Sequence, residues 1–150
     1  MCCLPLTSSN KAPQAPIILF KDRNDEDCVL LVNYALVDCA CPTTVAGQNW
    51  IMKFIGRLSM EDKQKVKLFK SQKVFKFGGG ERRNSKCILE FPCCLGGLNI
   101  KLRSEVIDAD LPLLLGNNSL EKAEAILDIG KRKIQLFNKI LSMSSTSSHK

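Results

Sequence analysis

The most apolar run of the chain, Cys28–Val37 (Cys-Val-Leu-Leu-Val-Asn-Tyr-Ala-Leu-Val), stops abruptly on an acid, Asp38. Continuous apolar character over this length, closed by the turn-prone Cys41-Pro42-Thr43-Thr44, reads as a buried β-strand. The carboxylate at its tip is followed by two small residues, Cys39 and Ala40. A lone Asp is costly to desolvate unless it is paired or hydrogen-bonded. Small neighbours leave room for backbone amides and a second carboxyl to reach it. Far downstream, Leu113-Leu114-Leu115-Gly116 is a second apolar run, closed by glycine. The plainer role open to Asp38 is that of a turn-capping side chain.

The segments between these two runs alternate in character. Ser59, followed by Glu61 and Asp62 and then lysines, predicts a helix over 58–70. Lys73-Val74-Phe75-Lys76-Phe77 alternates at period two, meets Gly78-Gly79-Gly80, and is answered by Cys87–Phe91, the pattern of a hairpin with a glycine tip. Leu95-Gly96-Gly97-Leu98 is a second glycine turn, leading into an alternating strand over 99–106. Asn118 with Glu121 suggests a capping box opening a helix whose apolar positions are Leu120, Ala123, Ile126 and Leu127, ended by Gly130. Ile134–Phe137 reads as a last strand. Trp50, among Ile51, Met52, Phe54 and Ile55, reads as core.

Size and composition bound the rest. A chain of 150 residues is one domain with room for its own core. Residues 1–26, with Pro5, Pro13, Pro16 and a charged cluster, read as a flexible leader, 27–138 as the domain, and 139–150 as a disordered Ser-rich tail. No apolar stretch reaches the roughly 18 residues a membrane span needs, and the first residues lack a secretory pattern, so a cytoplasmic location and no membrane partner are expected. In that compartment the eight cysteines are free thiols rather than disulfides. They form no C-x-x-C pair, and the only histidine is His149, so no metal is expected. Residues 53–86 carry eleven Lys and Arg against three acids, a net +8 that accounts for the whole +7 of the chain. This is a solvated lysine-rich helix, or a weak nucleic-acid contact; it lacks the aromatic platform of single-strand binders.

In this order the pieces resemble the retropepsin-like aspartic proteases, in particular those of retrotransposon Gag-Pol polyproteins. The resemblance rests on Ala35-Leu36-Val37-Asp38-Cys39-Ala40, then Phe75-Lys76-Phe77-Gly78-Gly79-Gly80, then Asp110-Leu111-Pro112-Leu113-Leu114-Leu115-Gly116, with Thr43–Gly47 and Trp50 following the transposon branch. It covers about 28–137. It implies a mainly β, closed-barrel acid-protease fold with two short helices, working as a symmetric homodimer on a polypeptide substrate and needing no cofactor.

By the same resemblance, Asp38 is the catalytic residue, and Cys39, Ala40, Leu114, Leu115 and Gly116 support its loop. Phe77, Gly78, Gly79 and Gly80 form a flap, although the Gly96-Gly97 hairpin is an alternative and Gly78–Gly80 also fits an ordinary hairpin loop. Hydrolysis by this route takes two carboxyls sharing one proton, one acting as acid and the other as base toward a held water. The chain shows one such triplet, and neither Asp108 nor Asp110 is followed by a small-residue loop, so the second carboxyl comes from a second copy. Cys39 stands where the family has a Ser or Thr whose hydroxyl ties the two loops together across the dimer, and a thiol is a weaker donor. Hence two expectations stand side by side: a transposon-derived aspartic endopeptidase, and a catalytically inactive protease-like dimerisation or peptide-binding module.

Overall fold

The computed structural model describes residues 2–7, 33–77 and 79–145. In chain order these give β1 (Cys2–Thr7), β2 (Tyr34–Val37), β3 (Val45–Gly47), α1 (Gln48–Gly56), α2 (Met60–Lys63), β4 (Lys67–Phe69) and β5 (Val74–Lys76). The second half adds β6 (Arg82–Leu95), β7 (Leu98–Ile107), β8 (Leu113–Leu115), α3 (Asn117–Lys122), β9 (Ile126–Asp128), β10 (Lys133–Leu136), β11 (Lys139–Ser142) and β12 (Ser144–Ser145).

Six strands close into a barrel in the order β1-β2-β8-β3-β7-β6, the ring completed where Leu6 and Thr7 of β1 meet Leu95 and Cys94 of β6. Its centre is the parallel pair β2–β8, in register Ala35↔Leu113, Leu36↔Leu114, Val37↔Leu115. β2 is buried on both faces, which is why it reads as unbroken apolar sequence rather than alternation. β7 continues from β6 through Gly96 and Gly97, at φ +57° and +87°. A two-residue turn with both central residues at positive φ matches the strand twist, and glycine occupies it without steric cost.

Inside the barrel the large side chains interlock. Trp50 and Phe54, one helical turn apart on α1, stack with ring centroids 5.3 Å apart, and Phe54 meets Phe91 of β6 at 5.4 Å. All three are at most 2% exposed; Trp50 is core, as its neighbours imply. β9, β10 and β11 form a separate three-stranded sheet that adds Ile134, Leu136 and Leu141 to the same core. No helix among the described residues is long and apolar enough to cross a membrane.

Several expectations need correction. The helix predicted over 58–70 is one turn, α2, capped as expected by Ser59 Oγ accepting the Asp62 N–H at 3.1 Å. Its segment has no apolar stripe to bury (Met60 is 74% exposed), and Lys67–Phe69 leaves it to pair with β6 instead. The nine-residue helix lies earlier, at α1, so the described residues hold three helices rather than two. The basic residues of 53–86 are accordingly spread over α1, α2, β4 and the β5–β6 hairpin rather than set along one helix.

The helix predicted from Asn118 starts at Asn117 and stops at Lys122, where Glu124 turns left-handed (φ +50°) and Ile126–Leu127 enters a strand. Strands also occupy part of the expected leader (β1) and the start of the expected tail (β11, β12). Of the strand predicted over 28–37, residues 28–32 lie outside the described residues, as does Gly78.

Candidate active site

Asp38 stands one residue past β2. Because Val37 pairs with Leu115, Asp38 comes level with Gly116, and its N–H extends the ladder to Leu115 O at 3.1 Å. The chain then turns sharply. Asp38 Oδ1 accepts the Ala40 N–H at 3.1 Å, and Asp38 O accepts the Cys41 N–H at 3.2 Å. One carboxylate oxygen therefore caps the turn, which fixes the plane of the carboxyl group. Asp38 is half-buried, while Cys39 and Ala40 are exposed.

The loop after Asp38 is locked to the segment after β8 by main-chain bonds, Asn117 N–H to Cys41 O at 2.7 Å and Asn118 N–H to Pro42 O at 3.1 Å. The side chain at the centre of this lock is Thr44, fully buried. Its Oγ1 accepts the Gly116 N–H at 3.0 Å and meets Ser119 Oγ, while Asn118 Oδ1 accepts the Thr44 N–H at 2.9 Å. A buried hydroxyl with partners on several sides is satisfied only if both loops keep their places. Gly116 is required by contact rather than by conformation: a Cβ there would lie 2.3 Å from Thr43 C and 2.6 Å from Thr44 N.

The two expected support leucines divide their work. Leu115 is buried in the main core, while Leu114 turns to the opposite face and joins a second apolar cluster. That cluster brings the base of the β5–β6 hairpin to the Asp38 loop: Phe75 and Phe77 pack with Val45, Ile107, Leu111 and Cys41, their rings stacked at 6.5 Å. Lys73, on the same hairpin, donates from Nζ to Thr43 Oγ1. Towards the tip, Gly79 and Gly80 are exposed, with open space around both. The Gly96-Gly97 turn instead packs on β1 and Leu141, the Gly96 N–H donating to Pro5 O at 2.8 Å.

Other chemistry near the loop is quiet. Burial pushes the Cys41 thiol up, and its Sγ donates to Thr43 O at 3.0 Å. Thiolate nucleophilicity is not expected of it. Asp110 Oδ1 accepts from Asn49 Nδ2 of α1 at 3.4 Å. Among the described residues no three His, Cys, Asp or Glu side chains are grouped to hold a metal ion.

Sequence reading brought Asp38, Gly116 and the glycine hairpin to notice. It missed Thr44, Asn118, Ser119 and Lys73. Asn118 was legible only as a helix cap, yet the N-cap is Gly116 and the Asn118 side chain is turned toward Thr44. The doubled Thr43-Thr44 just past the acid is the one signal that pointed to a hydroxyl here.

A closed six-stranded barrel whose parallel strand pair presents an Asp-bearing turn beside a glycine, with the base of a hairpin packed against that loop, is a retropepsin-like fold. The first structural match gives the same fold. The crystal structure of the retroviral protease-like domain of Ddi1 from Leishmania major matches at TM-score 0.61, covering 99% of this chain and 98% of that one at 14% identity. An inhibitor complex of EIAV protease matches at TM-score 0.41, over 64% of this chain and 81% of that one, at 20% identity. No family model and no curated protein matches the sequence.

Proposed function

We propose that the chain is one half of an aspartic endopeptidase in which Asp38 from two copies forms the catalytic dyad. The observation that carries this reading is the Asp38 turn itself. It holds a half-exposed carboxylate, oriented by the Ala40 N–H and anchored through Leu115 and Gly116 to the barrel. Such a carboxylate needs a second one. Two at hydrogen-bonding range cannot both ionise, so one proton is shared. The ionised member draws a proton from water, which attacks the peptide carbonyl, and the neutral member protonates the carbonyl oxygen. Among the described residues no second carboxylate of the same chain is bonded to the Asp38 turn, and Asp110 bonds Asn49 of α1, so a two-fold related copy supplies the partner. Phe77, Gly79 and Gly80, together with Gly78, act as the flap that closes over an extended peptide. Cys39 and Ala40 line the turn, and Leu114 supports it from the Phe75–Phe77 side.

The second reading, an inactive protease-like dimerisation or peptide-binding module, is favoured by Cys39. Its exposed thiol offers a weaker loop-to-loop bond than a hydroxyl. The Thr44 lock supports the first reading in return, since it holds each loop within its own chain. Transposon origin and a salt-sensitive contact of the basic 53–86 surface with nucleic acid belong to the same proposal.

The test is cleavage of a mixed peptide pool between pH 4 and 7, with the Asp38→Asn variant beside it. Asn keeps an oxygen to accept the Ala40 N–H, so the fold should persist. Activity that disappears in the variant and rises more than linearly with protein concentration establishes the dimeric dyad. A folded dimer that cleaves nothing, and gains nothing from Cys39→Ser, establishes the inactive module.

A further inference from the structure

Strand β7 is paired along one edge over its whole length and along the other only at its end. β6 accompanies it from Leu98 to Ile107, whereas β3 reaches only Glu105–Ile107. The direction of the free groups follows from one bond. The Glu105 N–H donates to Thr44 O at 3.0 Å, so the main-chain groups of Glu105 point to the β3 side. Period two carries the same direction to Arg103 and Lys101. Among the described residues, no main-chain bond outside the β6 ladder reaches either of them. Two N–H and two C=O groups therefore line an open edge.

This edge borders a groove of about 530 Å³, a size that suits side chains. Leu102, Leu120, Ala123, Leu136 and Phe137 give it an apolar lining. Of its charges, Glu90 is paired with Arg103 at 2.7 Å, and Glu105 is buried against Ser85 Oγ. Lys101, which also acts on Glu90, and Lys122 are both exposed and form no salt bridge with another described residue. The lining reaches the Asp38 loop lock at Thr43, Leu115, Asn118 and Ser119, but shares no residue with the Phe75–Phe77 cluster.

We propose that the open edge of β7 binds an acidic polypeptide segment as an added strand, on the side of the barrel away from the Phe75–Phe77 cluster. The guest backbone pairs with Lys101 and Arg103, an apolar side chain enters the groove, and flanking carboxylates meet Lys101 and Lys122. A small apolar ligand would fill the groove but leave the four main-chain groups unpaired; an extended peptide satisfies both.

The experiment is an NMR titration of the full chain with acetyl-Glu-Thr-Leu-Thr-Glu-amide. Saturable shifts at the amides of Lys101–Arg103 are expected. Replacing both Glu by Lys, or methylating the backbone nitrogens of the peptide, should weaken binding about tenfold or more. Ala123→Phe, which fills the groove, should abolish it. Should that variant unfold, Lys122→Glu gives the second arm, weakening the acidic peptide and strengthening the Lys one. The proposal is overturned if no peptide shifts these amides, if the methylated peptide binds equally, or if the shifts gather at Ala40, Cys41 and Phe77 instead.

Discussion

Replacing Gly116 by Ala is the sharpest test of how the Asp38 turn is held. The residue sits at φ −81° and ψ 173°, where any L-residue is comfortable, so the change carries no backbone strain. What it carries is collision, with the new Cβ 2.3 Å from Thr43 C and 2.6 Å from both Thr43 O and Thr44 N. These are main-chain atoms and cannot swing aside. Since carbon atoms pack at about 3.5–4.0 Å, the Thr43–Thr44 segment must retreat by about 1 Å or more. Overpacking of this kind costs about 1–3 kcal/mol. The retreat also breaks the Gly116 N–H bond to Thr44 and the Asn118 bond to the Thr44 N–H, each a loss of about 0.5–1.5 kcal/mol. Lower entropy of the unfolded chain offsets about 0.4–1 kcal/mol. The net is about 1–6 kcal/mol, or a fall in Tm of about 2–24 °C at about 2–4 °C per kcal/mol for a chain of this size. Gly79→Ala is the control, since its Cβ meets nothing within 4 Å. Thermal unfolding of the two variants decides the matter: a Gly116→Ala protein melting within about 2 °C of the control would refute the account of the lock.

Other consequences can be measured on the same protein. Thr44→Val keeps the shape but leaves the Gly116 N–H without its acceptor, and should cost about 1–3 kcal/mol in denaturant unfolding, with Thr44→Ser costing less. Thiol labelling should begin at exposed Cys39 and come late at Cys93, whose pKa burial pushes up to about 12. The Arg103 hydrogen bond holds the Glu90 carboxyl below its ordinary value. A depressed carboxylate stabilises the fold above its unfolded pKa and loses that contribution as pH falls through the folded one. NMR titration should therefore show the Glu90 midpoint rising in Arg103→Gln.

How far the sequence disclosed this arrangement depends on how local each signal is. The Asp38 run and the Leu113–Gly116 run were legible because β2 is buried on both faces and β8 nearly so, and because each ends on a residue unlike the apolar run before it. The Gly96-Gly97 turn was legible because positive φ at two successive residues leaves a compositional mark. The failures share one cause, tertiary contacts outweighing local propensity. Lys67–Phe69 follows a genuine cap and acidic first turn, yet strand pairing with β6 and the Arg103 guanidinium over the Phe69 ring decide its state. Ile126 and Leu127 keep helical spacing on paper, but Glu124 has already turned the chain. Asn118 and Thr44 are 74 residues apart, and no local pattern records a bond of that span.

That same separation bears on the order in which the molecule comes into being. Both halves of the Asp38 setting are drawn from distant parts of one chain, through a parallel pairing that no hairpin can nucleate. Contacts closing loops this long form only after local structure has already reduced the entropy of the intervening chain. The β6–β7 hairpin, joined by two residues, has no such cost and can lead. A nascent chain thus carries Asp38 early but cannot orient it until Leu113–Ser119 has been made and docked. Whatever Asp38 does is withheld, by topology alone, from every unfinished copy.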